Sequence, residues 1–395
     1  MLSPLALYIH IPWCVRKCPY CDFNSHARSG VLPEDEYVNA LLRDLDFELA
    51  SSPVSRPPLT TIFFGGGTPS LFSAEAIARI LDGVRARFDC APDIEITLEA
   101  NPGTVEQARF TGYRAAGVNR LSIGIQSLDD AQLTRLGRIH GAAEAHAAVA
   151  AAGAAGFDNF NLDMMYALPE QTLAGARTDL MQLIALEPSH ISYYQLTLEP
   201  GTPFHHQPPP LPDDELAWEM QLQGQALLAE HGYAQYEVSA YAQSGRQCRH
   251  NLNYWNFGDY LGIGAGAHGK LTDVHGGARR SEKLKFPQAY TQAAGGPRQC
   301  ARNGLVPVED LPFEYLLNAL RLNAGFDLDH YRLRTGSTLA RLTPAFSKGL
   351  LERSGRQVRC TDLGQRHLNA LLRDLLPGKP TPPRPPLLAP AAVNH

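Results

Sequence analysis

Three cysteines near the start of the chain, at Cys14, Cys18 and Cys21, have the spacing of ligands to a metal cluster. The pattern C-x3-C-x2-C lets one short loop supply three thiolates, which can bind three irons of a cubane and leave the fourth iron without a protein ligand. A zinc site usually needs four ligands in two pairs, and a disulfide framework does not suit an uneven count of 7 cysteines. We therefore predict a [4Fe-4S] cluster with one open iron.

An open iron in such a cluster has a specific chemical use. In radical enzymes that use S-adenosylmethionine (SAM), the amino and carboxylate groups of the cofactor chelate this iron, and the sulfonium can then be cleaved reductively. The remaining cysteines show no metal-ligand spacing, and we expect them to be structural thiols: Cys90, Cys248, Cys300 and Cys360.

Length and composition indicate a globular protein of two or three domains, because 395 residues exceed the usual size of one domain. A net charge of −5 does not favour a nucleic-acid interface spread over the whole molecule. The first residues lack the charged start, long apolar run and cleavage site of a secretory signal. Together with an oxygen-sensitive cluster, these features predict a cytoplasmic protein.

The amino-terminal half alternates short β-branched or aromatic runs with helical stretches rich in Ala and Leu. The runs are almost continuously apolar, which is typical of buried parallel strands joined by crossover helices. The predicted fold class is α/β, a partial (β/α)6 barrel with strands near 5–11, 60–64, 94–98, 120–125, 159–165 and 190–196.

Polar residues follow these strands at their carboxyl ends, which in a parallel barrel share one rim where binding sites lie. The cysteine loop follows the first strand and a glycine run follows the second. The other four strands end on or contain single polar residues, namely Glu99, Gln126, Asp163 and Thr197. We therefore expect a ligand site at this rim.

These side chains suit a cofactor that carries an amino acid, a ribose and an adenine. The run Gly65-Gly66-Gly67-Thr68 lets backbone groups approach a ligand closely. Glu99 can accept hydrogen bonds from ribose hydroxyls, and Asp163 from a second ribose or an amino group. Gln126 and Arg138 can hold the carboxylate of the methionine part. The alternative for the two acids is an ion pair at the barrel mouth.

Several segments together resemble the oxygen-independent coproporphyrinogen III oxidase-like family of radical SAM proteins. In chain order they are YIHIPWCVRKCPYC, FFGGGTPS, EANP, GIQSL, RLGRIH, NLDMMYALP, LTLEPGTP and GIGAGAHG. The resemblance extends from Tyr8 to about Leu376 and implies that the three cysteines bind the cluster. It also implies a SAM site made of Tyr8, Tyr20, Gly66, Gly67, Thr68, Glu99, Gln126, Arg138, Asp163 and Thr197.

Two departures separate the chain from the oxidase itself. Phe23 stands where the oxidase has a further cysteine, and fewer residues precede the first strand than in the oxidase's amino-terminal arm. By contrast, His250-Asn251-Leu-Asn-Tyr254-Trp255 resembles the HNxxYW motif of the haem-chaperone branch. The resemblance therefore implies a protein that binds haem and passes it to an acceptor. The alternative is a radical SAM enzyme that acts on a tetrapyrrole, such as the oxidase with its oxidative decarboxylation.

The residue types of this motif suit haem. His250 can supply an axial nitrogen, and Tyr254 and Trp255 offer flat apolar surface with a polar tip. Cys248, two residues earlier, can offer a thiolate. We expect haem near His250, with Asn251 beside it, on or beside the barrel mouth. The alternative is that the aromatic residues form a core and that His250 bonds a backbone carbonyl.

We predict a radical SAM barrel at 1–203, a small α+β extension with the haem motif at 204–305, a winged-helix-like module at 306–376 and a Pro-rich disordered tail at 377–395. Within these segments we expect a helix at 213–231, a strand at 236–241, and a strand pair at 350–361 with Gly355 at its turn. The module lacks a clear recognition-helix stripe, so we expect protein or intramolecular packing and no nucleic acid.

The expected partners follow from the resemblance. They are haem or another tetrapyrrole, an acceptor haem protein (a membrane-associated one included), and an electron donor for the cluster. The sequence is compatible with a monomer or a dimer.

Overall fold

The computed structural model describes residues 4–28, 30–51, 57–103, 106–273 and 275–376. The Pro-rich segment at 377–395 lies outside the described residues.

The first half of the chain alternates strands and helices, as its sequence pattern predicts. The strands are β1 Leu5–Ile11, β2 Trp13–Cys14, β3 His26–Ala27, β4 Leu59–Gly66, β5 Cys90–Ala100, β6 Arg120–Gln126, β7 Phe160–Tyr166 and β8 His190–Gln195. The helices are α1 Glu34–Ser51, α2 Ala74–Arg85, α3 Glu106–Ala116, α4 Asp130–Arg135, α5 Ala142–Ala154 and α6 Leu173–Ile184, with a 3-10 turn at Pro69–Leu71.

The six predicted barrel strands form one parallel array in the order β1, β4, β5, β6, β7, β8. Six of the seven residues of β1 (LALYIHI) are buried, which explains why this strand reads as a nearly continuous apolar run. Side-chain caps begin α2, α4 and α6; Ser73, for example, accepts a hydrogen bond from the Ala76 amide at the start of α2. The predicted parallel α/β barrel is confirmed.

The next segment contains α7 Pro203–His206, α8 Asp214–Glu230, β9 Ala234–Glu237, β10 Ala240–Ala242, α9 Arg249–Trp255, β11 Asp259–Ile263, β12 His268–Thr272, β13 Ala278–Lys283, α10 Pro287–Ala293, a 3-10 turn at Pro297–Gln299 and β14 Cys300–Leu305. β9 and β10 extend the barrel sheet beyond β8, while β11 pairs in parallel with β1 and leads into antiparallel β12 to β14. The segment predicted as an extension therefore shares one 12-stranded sheet with the barrel.

The single strand predicted at 236–241 is wrong, because the chain turns inside it. The Glu237 carboxylate accepts hydrogen bonds from the amide and the hydroxyl of Ser239, at 3.1 and 3.0 Å. This local side-chain bonding competes with an extended ladder and separates β9 from β10.

The carboxyl-terminal part contains α11 Leu311–Ala319, β15 Phe326–Asp327, α12 Leu328–Thr335, a 3-10 turn at Leu339–Leu342, α13 Thr343–Ser347, β16 Leu351–Ser354, β17 Gln357–Cys360, α14 Asp362–Arg366 and α15 Leu368–Asp374. The predicted strand pair is β16 and β17, with Gly355 at φ 60° in the turn. These elements surround a hydrophobic core of their own, which includes Tyr315, Tyr331 and Val358. The winged-helix-like description and the four segment boundaries remain predictions.

Across the described residues, no helix combines the length and the apolar character that crossing a membrane requires.

Candidate cofactor and ligand site

A cavity of about 900 Å³ lies inside the barrel and extends from the cysteine loop to helix α9. All but one of the residues predicted to bind the cluster, SAM or haem line this cavity; the exception is Trp255. The fold thus brings together side chains that are separated by more than two hundred positions in the sequence.

The cysteine loop is attached to the strand that follows it in the sheet. The Gly67 and Thr68 amides donate to the carbonyls of Ile11 and Trp13, both at 2.8 Å. The three cysteines face the cavity from separate points of the loop. Among the described residues, no three Asp, Glu, His or Cys side chains converge on one ion, whereas a cubane offers a separate iron to each thiolate.

Each thiol has a polar neighbour. The Thr68 hydroxyl lies 3.5 Å from the Cys14 sulfur, an Arg138 Nη lies 3.6 Å from that of Cys18, and the Ser25 hydroxyl lies 3.8 Å from that of Cys21. Burial raises the pKa of the Cys14 and Cys21 thiols, so iron binding has to displace their protons. Hydroxyl and guanidinium donors around a thiolate are the kind of surrounding that tunes a cluster.

The glycine run is required by the packing of the protein itself. A Cβ on Gly67 would stand 2.6 Å from the Trp13 carbonyl oxygen, and one on Gly66, at φ 115°, would stand 2.5 Å from the His10 ring. The sequence interpretation assigned these glycines to ligand approach. The contacts show that they first let the cysteine loop lie against the end of β4.

Two carboxyl groups face the cavity below this loop. Glu99 accepts a hydrogen bond from the Gly66 amide at 3.2 Å, and Asp163 accepts one from the Asn161 side-chain amide at 2.7 Å. Burial and the nearby Asp163 raise the pKa of Glu99 to about 8, and burial also raises the pKa of Asp163. In the described part of the chain no Lys or Arg pairs with either acid, so the alternative of an ion pair at the mouth is wrong.

Gln126 and Arg138 are positioned by strained backbone and by hydrogen bonds. Gln126 has φ 71°, a left-handed conformation that is rare outside glycine, and its Oε1 accepts from the Tyr194 hydroxyl at 2.7 Å. An Arg138 Nη donates to the Asn101 Oδ1 and to the Gly124 carbonyl, both at 2.8 Å.

Asn101 was not predicted as a site residue, although the segment EANP contains it. Its side-chain amide donates to the Thr68 hydroxyl at 3.0 Å while its oxygen accepts from Arg138. Hydrogen bonds therefore run from Cys14 through Thr68, Asn101 and Arg138 to Cys18.

Two other predicted residues lie at the wall of the cavity. Tyr20 packs near Phe204, and the Thr197 hydroxyl donates to the Glu199 carboxylate at 2.9 Å.

The HNxxYW motif lies at the opposite end of the cavity from the cysteine loop. His250 contacts Thr61 near the start of β4, and its amide donates to Glu95 in β5, whereas the glycine run and Glu99 lie near the ends of these strands. Helix α9 connects β10 to β11 across the amino end of the barrel. The expected position on or beside the barrel mouth is therefore wrong, and the motif forms the floor of the cavity.

His250 is fully engaged in side-chain hydrogen bonds. Its Nδ1 lies 2.7 Å from the Thr61 hydroxyl and its Nε2 lies 2.8 Å from the Tyr254 hydroxyl. Its ring stacks on Phe63 with centroids 5.1 Å apart. Burial lowers the pKa of His250 to about 3, so the imidazole is neutral. The alternative of a backbone carbonyl partner is wrong.

Trp255 and Cys248 do not face the cavity. Trp255 lines a separate space of about 160 Å³, and the Arg321 guanidinium lies 4.4 Å from the centre of its ring. Cys248 is buried, lies 3.7 Å from the Glu95 carboxylate and has its pKa raised to about 12 by burial. It is therefore a structural thiol and not a thiolate ligand.

Comparison with known proteins agrees with this arrangement. Residues 8–181 match the radical SAM superfamily, and residues 306–367 match the HemN C-terminal domain. The fold is similar to that of coproporphyrinogen III oxidase (HemN) from Escherichia coli, a radical SAM enzyme, with a TM-score of 0.78 at 22% identity over 95% of this chain and 89% of that one.

Closer relatives cover almost the whole sequence. The chain is 50% identical over 375 residues to the heme chaperone HemW of Escherichia coli (strain K12), covering 94% of this chain and 98% of that protein. It is 38% identical over 391 residues to the mitochondrial radical S-adenosyl methionine domain-containing protein 1 of Mus musculus, covering 94% and 87%. The chain therefore belongs to the HemW heme chaperone family of radical SAM proteins.

Proposed function

We propose that this protein binds a [4Fe-4S] cluster, SAM and haem, and that it delivers haem to an acceptor protein. The observation that carries the proposal is the single cavity, whose one end carries the cysteine loop and whose floor carries the HNxxYW motif. At about 900 Å³, this cavity is at the upper end of the volumes that hold a small-molecule ligand.

We assign the mouth of the cavity to the cluster and SAM. Cys14, Cys18 and Cys21 would hold the cluster, which would offer an open iron for SAM to chelate and an electron for the reduction of SAM. Glu99 and Asp163 accept hydrogen bonds from hydroxyl or amino groups, which is favourable because neither acid forms an ion pair with a cation in the described ranges. Arg138 and Gln126 donate to carboxylate oxygens, while Tyr8, Tyr20, Gly66, Gly67, Thr68 and Thr197 complete the walls.

We assign haem to the floor, against His250, Asn251 and Tyr254. Tyr8 and Phe63, whose rings stack 6.3 Å apart on the same wall, add apolar surface for a porphyrin. Trp255 does not contact the haem and supports the floor indirectly, because it packs α9 against Arg321. The haem acceptor, which can be a membrane-associated protein, and an electron donor for the cluster bind outside this cavity. We place the protein in the cytoplasm.

Haem titration of the anaerobically reconstituted protein tests this function. We expect a stoichiometric shift of the Soret band, transfer of the haem to an apo-haem protein, and loss of the shift in His250→Ala. His231→Ala is the matched control, because this histidine bonds only a carbonyl of its own helix end. Absence of haem binding by the parent protein would overturn the proposal.

A radical enzyme is the second candidate, because the same cavity holds all the predicted SAM residues. The distinguishing position is Phe23, which lies at the cavity and is 63% exposed where the oxidase has a cysteine. Conversion of coproporphyrinogen III to protoporphyrinogen IX with consumption of SAM would favour the enzyme. Haem binding without that turnover would favour the chaperone.

A further inference from the structure

A buried arginine at the floor of the cavity has an Nε without a hydrogen-bond partner. Arg120, the first residue of β6, is 2% exposed and lines the cavity. Its Nε has no hydrogen-bond partner, and no carboxylate of the described residues lies within ion-pair distance of its guanidinium. Nearby acidic groups, Glu95 and Asp163 among them, stabilise the charge through space and raise the pKa of Arg120. A buried donor without an acceptor is nevertheless unfavourable, so a ligand that supplies the acceptor gains binding energy.

The polar groups around Arg120 are already paired with one another. The two ring nitrogens of His190 lie 2.6 Å from the Asn161 Oδ1 and 2.8 Å from the Tyr236 hydroxyl. The Glu95 carboxylate accepts from the backbone amides of Arg249 and His250, each at 3.1 Å. Glu95 and Asp163 therefore act on the guanidinium only through space, and neither is within hydrogen-bond or ion-pair distance of it.

A second unpaired group lies beside it. Thr97 stands directly opposite Arg120 in the ladder between β5 and β6, so the two side chains point to the same face of the sheet. The buried Thr97 hydroxyl also has no hydrogen-bond partner. Arg120 lines the cavity and Thr97 lies behind it. A guanidinium with an unused donor at a cavity wall indicates a site for an anion with more than one oxygen.

We propose that Arg120 binds a carboxylate of the porphyrin, so that haem enters the cavity with its carboxylate-bearing edge toward the floor. This inference rests on the proposed haem binding and adds the orientation of the ligand. The planar guanidinium can hold a carboxylate with two parallel hydrogen bonds. His250 then contacts the porphyrin edge and does not bind the iron, which agrees with the engagement of both its ring nitrogens.

The test compares ferric haem with its dimethyl ester, which has the same ring and iron but no free carboxylate. Both are titrated in the same detergent into the reconstituted protein and followed by absorbance. We expect the parent protein to prefer haem by about 10- to 100-fold. Arg120→Gln should lose this preference through weaker haem binding, while its affinity for the ester stays unchanged. Arg87→Gln, which removes a surface arginine paired with Asp46, is the charge control and should keep the preference.

The outcomes separate the two proposals. If the parent protein binds both compounds equally well, or if Arg120→Gln keeps the preference, the role of Arg120 is overturned and haem binding stands. If the parent protein binds neither compound, the proposed function fails and the role of Arg120 fails with it. Arg120→Lys, which keeps the charge without the planar fork, replaces the glutamine variant if that variant does not fold, and it should show a reduced preference.

Discussion

Two buried carboxyl groups that form no ion pair with any described residue define the chemistry of the cavity at the scale of single residues. Glu99 and Asp163 lie in a wall where desolvation favours their neutral forms, and each is held by only one or two neutral donors. A bound ligand with hydroxyl or amino groups supplies the missing donors. The acids are therefore arranged for a ligand and contribute little to the stability of the empty protein.

This arrangement predicts a pH dependence of stability in protein prepared without cluster and SAM. The pKa of Glu99 rises from 4.5 in the unfolded chain to about 8 in the folded protein, so the folded state binds more protons between these values. The free energy of unfolding therefore falls as pH rises through this window, by a few kcal/mol as an order of magnitude.

Urea unfolding from pH 5 to 8.5 measures this effect. Glu99→Gln should flatten the profile, because a neutral amide replaces the titrating group. Glu75→Gln, at an exposed position of α2, is the control. A profile that is equally steep in Glu99→Gln would contradict the assignment of the effect to this carboxyl.

The cysteine assignment makes a second prediction at this scale. Cys18→Ala should abolish the broad visible absorption of the reconstituted cluster and lower the bound iron, because one of three irons loses its only protein ligand. Cys90→Ala, at the first position of β5, should keep both. Equal iron content in these two variants would show that the cluster lies elsewhere.

At the scale of elements, the end of β4 and the cysteine loop act as one unit. Backbone hydrogen bonds from Gly67 and Thr68 hold the loop, and hydrogen bonds through Asn101 and Arg138 connect its first two thiols. The geometry of the cluster ligands therefore depends on residues that do not bind iron.

Gly67→Ala tests this dependence. The added methyl group would stand 2.6 Å from the Trp13 carbonyl oxygen, so the loop has to move. We expect a loss of about 1–3 kcal/mol in the free energy of unfolding and a lower iron content after reconstitution. Gly153→Ala is the matched control: a Cβ there meets nothing within 4 Å in the last turn of α5, and the change should lower neither stability nor iron content. Full iron content in Gly67→Ala would mean that the loop adapts without loss of ligand geometry.

At the scale of the whole molecule, Arg321 connects the carboxyl-terminal module to the floor of the barrel. Its guanidinium lies over the Trp255 ring and 3.0 Å from the Glu237 carboxylate, whose side chain is 4% exposed. The backbone of this region adds a hydrogen bond of 3.1 Å from the Asn323 amide to the Tyr236 carbonyl. The module is thus attached to the helix that carries the HNxxYW motif.

Arg321→Ala should therefore affect both stability and haem binding. Loss of Arg321 leaves the buried Glu237 carboxylate with its Ser239 hydrogen bonds but without its cation, and we expect about 1–3 kcal/mol less stability in urea together with weaker haem binding. Lys348→Ala is the control, since it breaks an ion pair with Asp374 in which both side chains are about half exposed. Such a pair contributes about 0–1 kcal/mol. Unchanged haem affinity in Arg321→Ala would show that the module does not support the floor.

Features that depend on local order were predictable from the sequence. Strand positions follow from continuous apolar runs, the rim follows from the parallel topology, and the cysteine spacing lies within a single loop. The six barrel strands, the helix at 214–230 and the hairpin at Gly355 are all close to their predicted positions.

Only the tertiary structure decided where the HNxxYW motif lies and which buried cation keeps an unused hydrogen-bond donor. His250 is positioned by Thr61 and Glu95, more than one hundred and fifty residues earlier, and no local pattern encodes such contacts. Arg120 is the first residue of a predicted strand, where an arginine is usually exposed, so the sequence did not indicate a binding residue. Its position directly before a buried apolar run was the one signal that could have pointed to it. Its role depends on what all its spatial neighbours already bind, and that is a property of the folded cavity and not of any one segment.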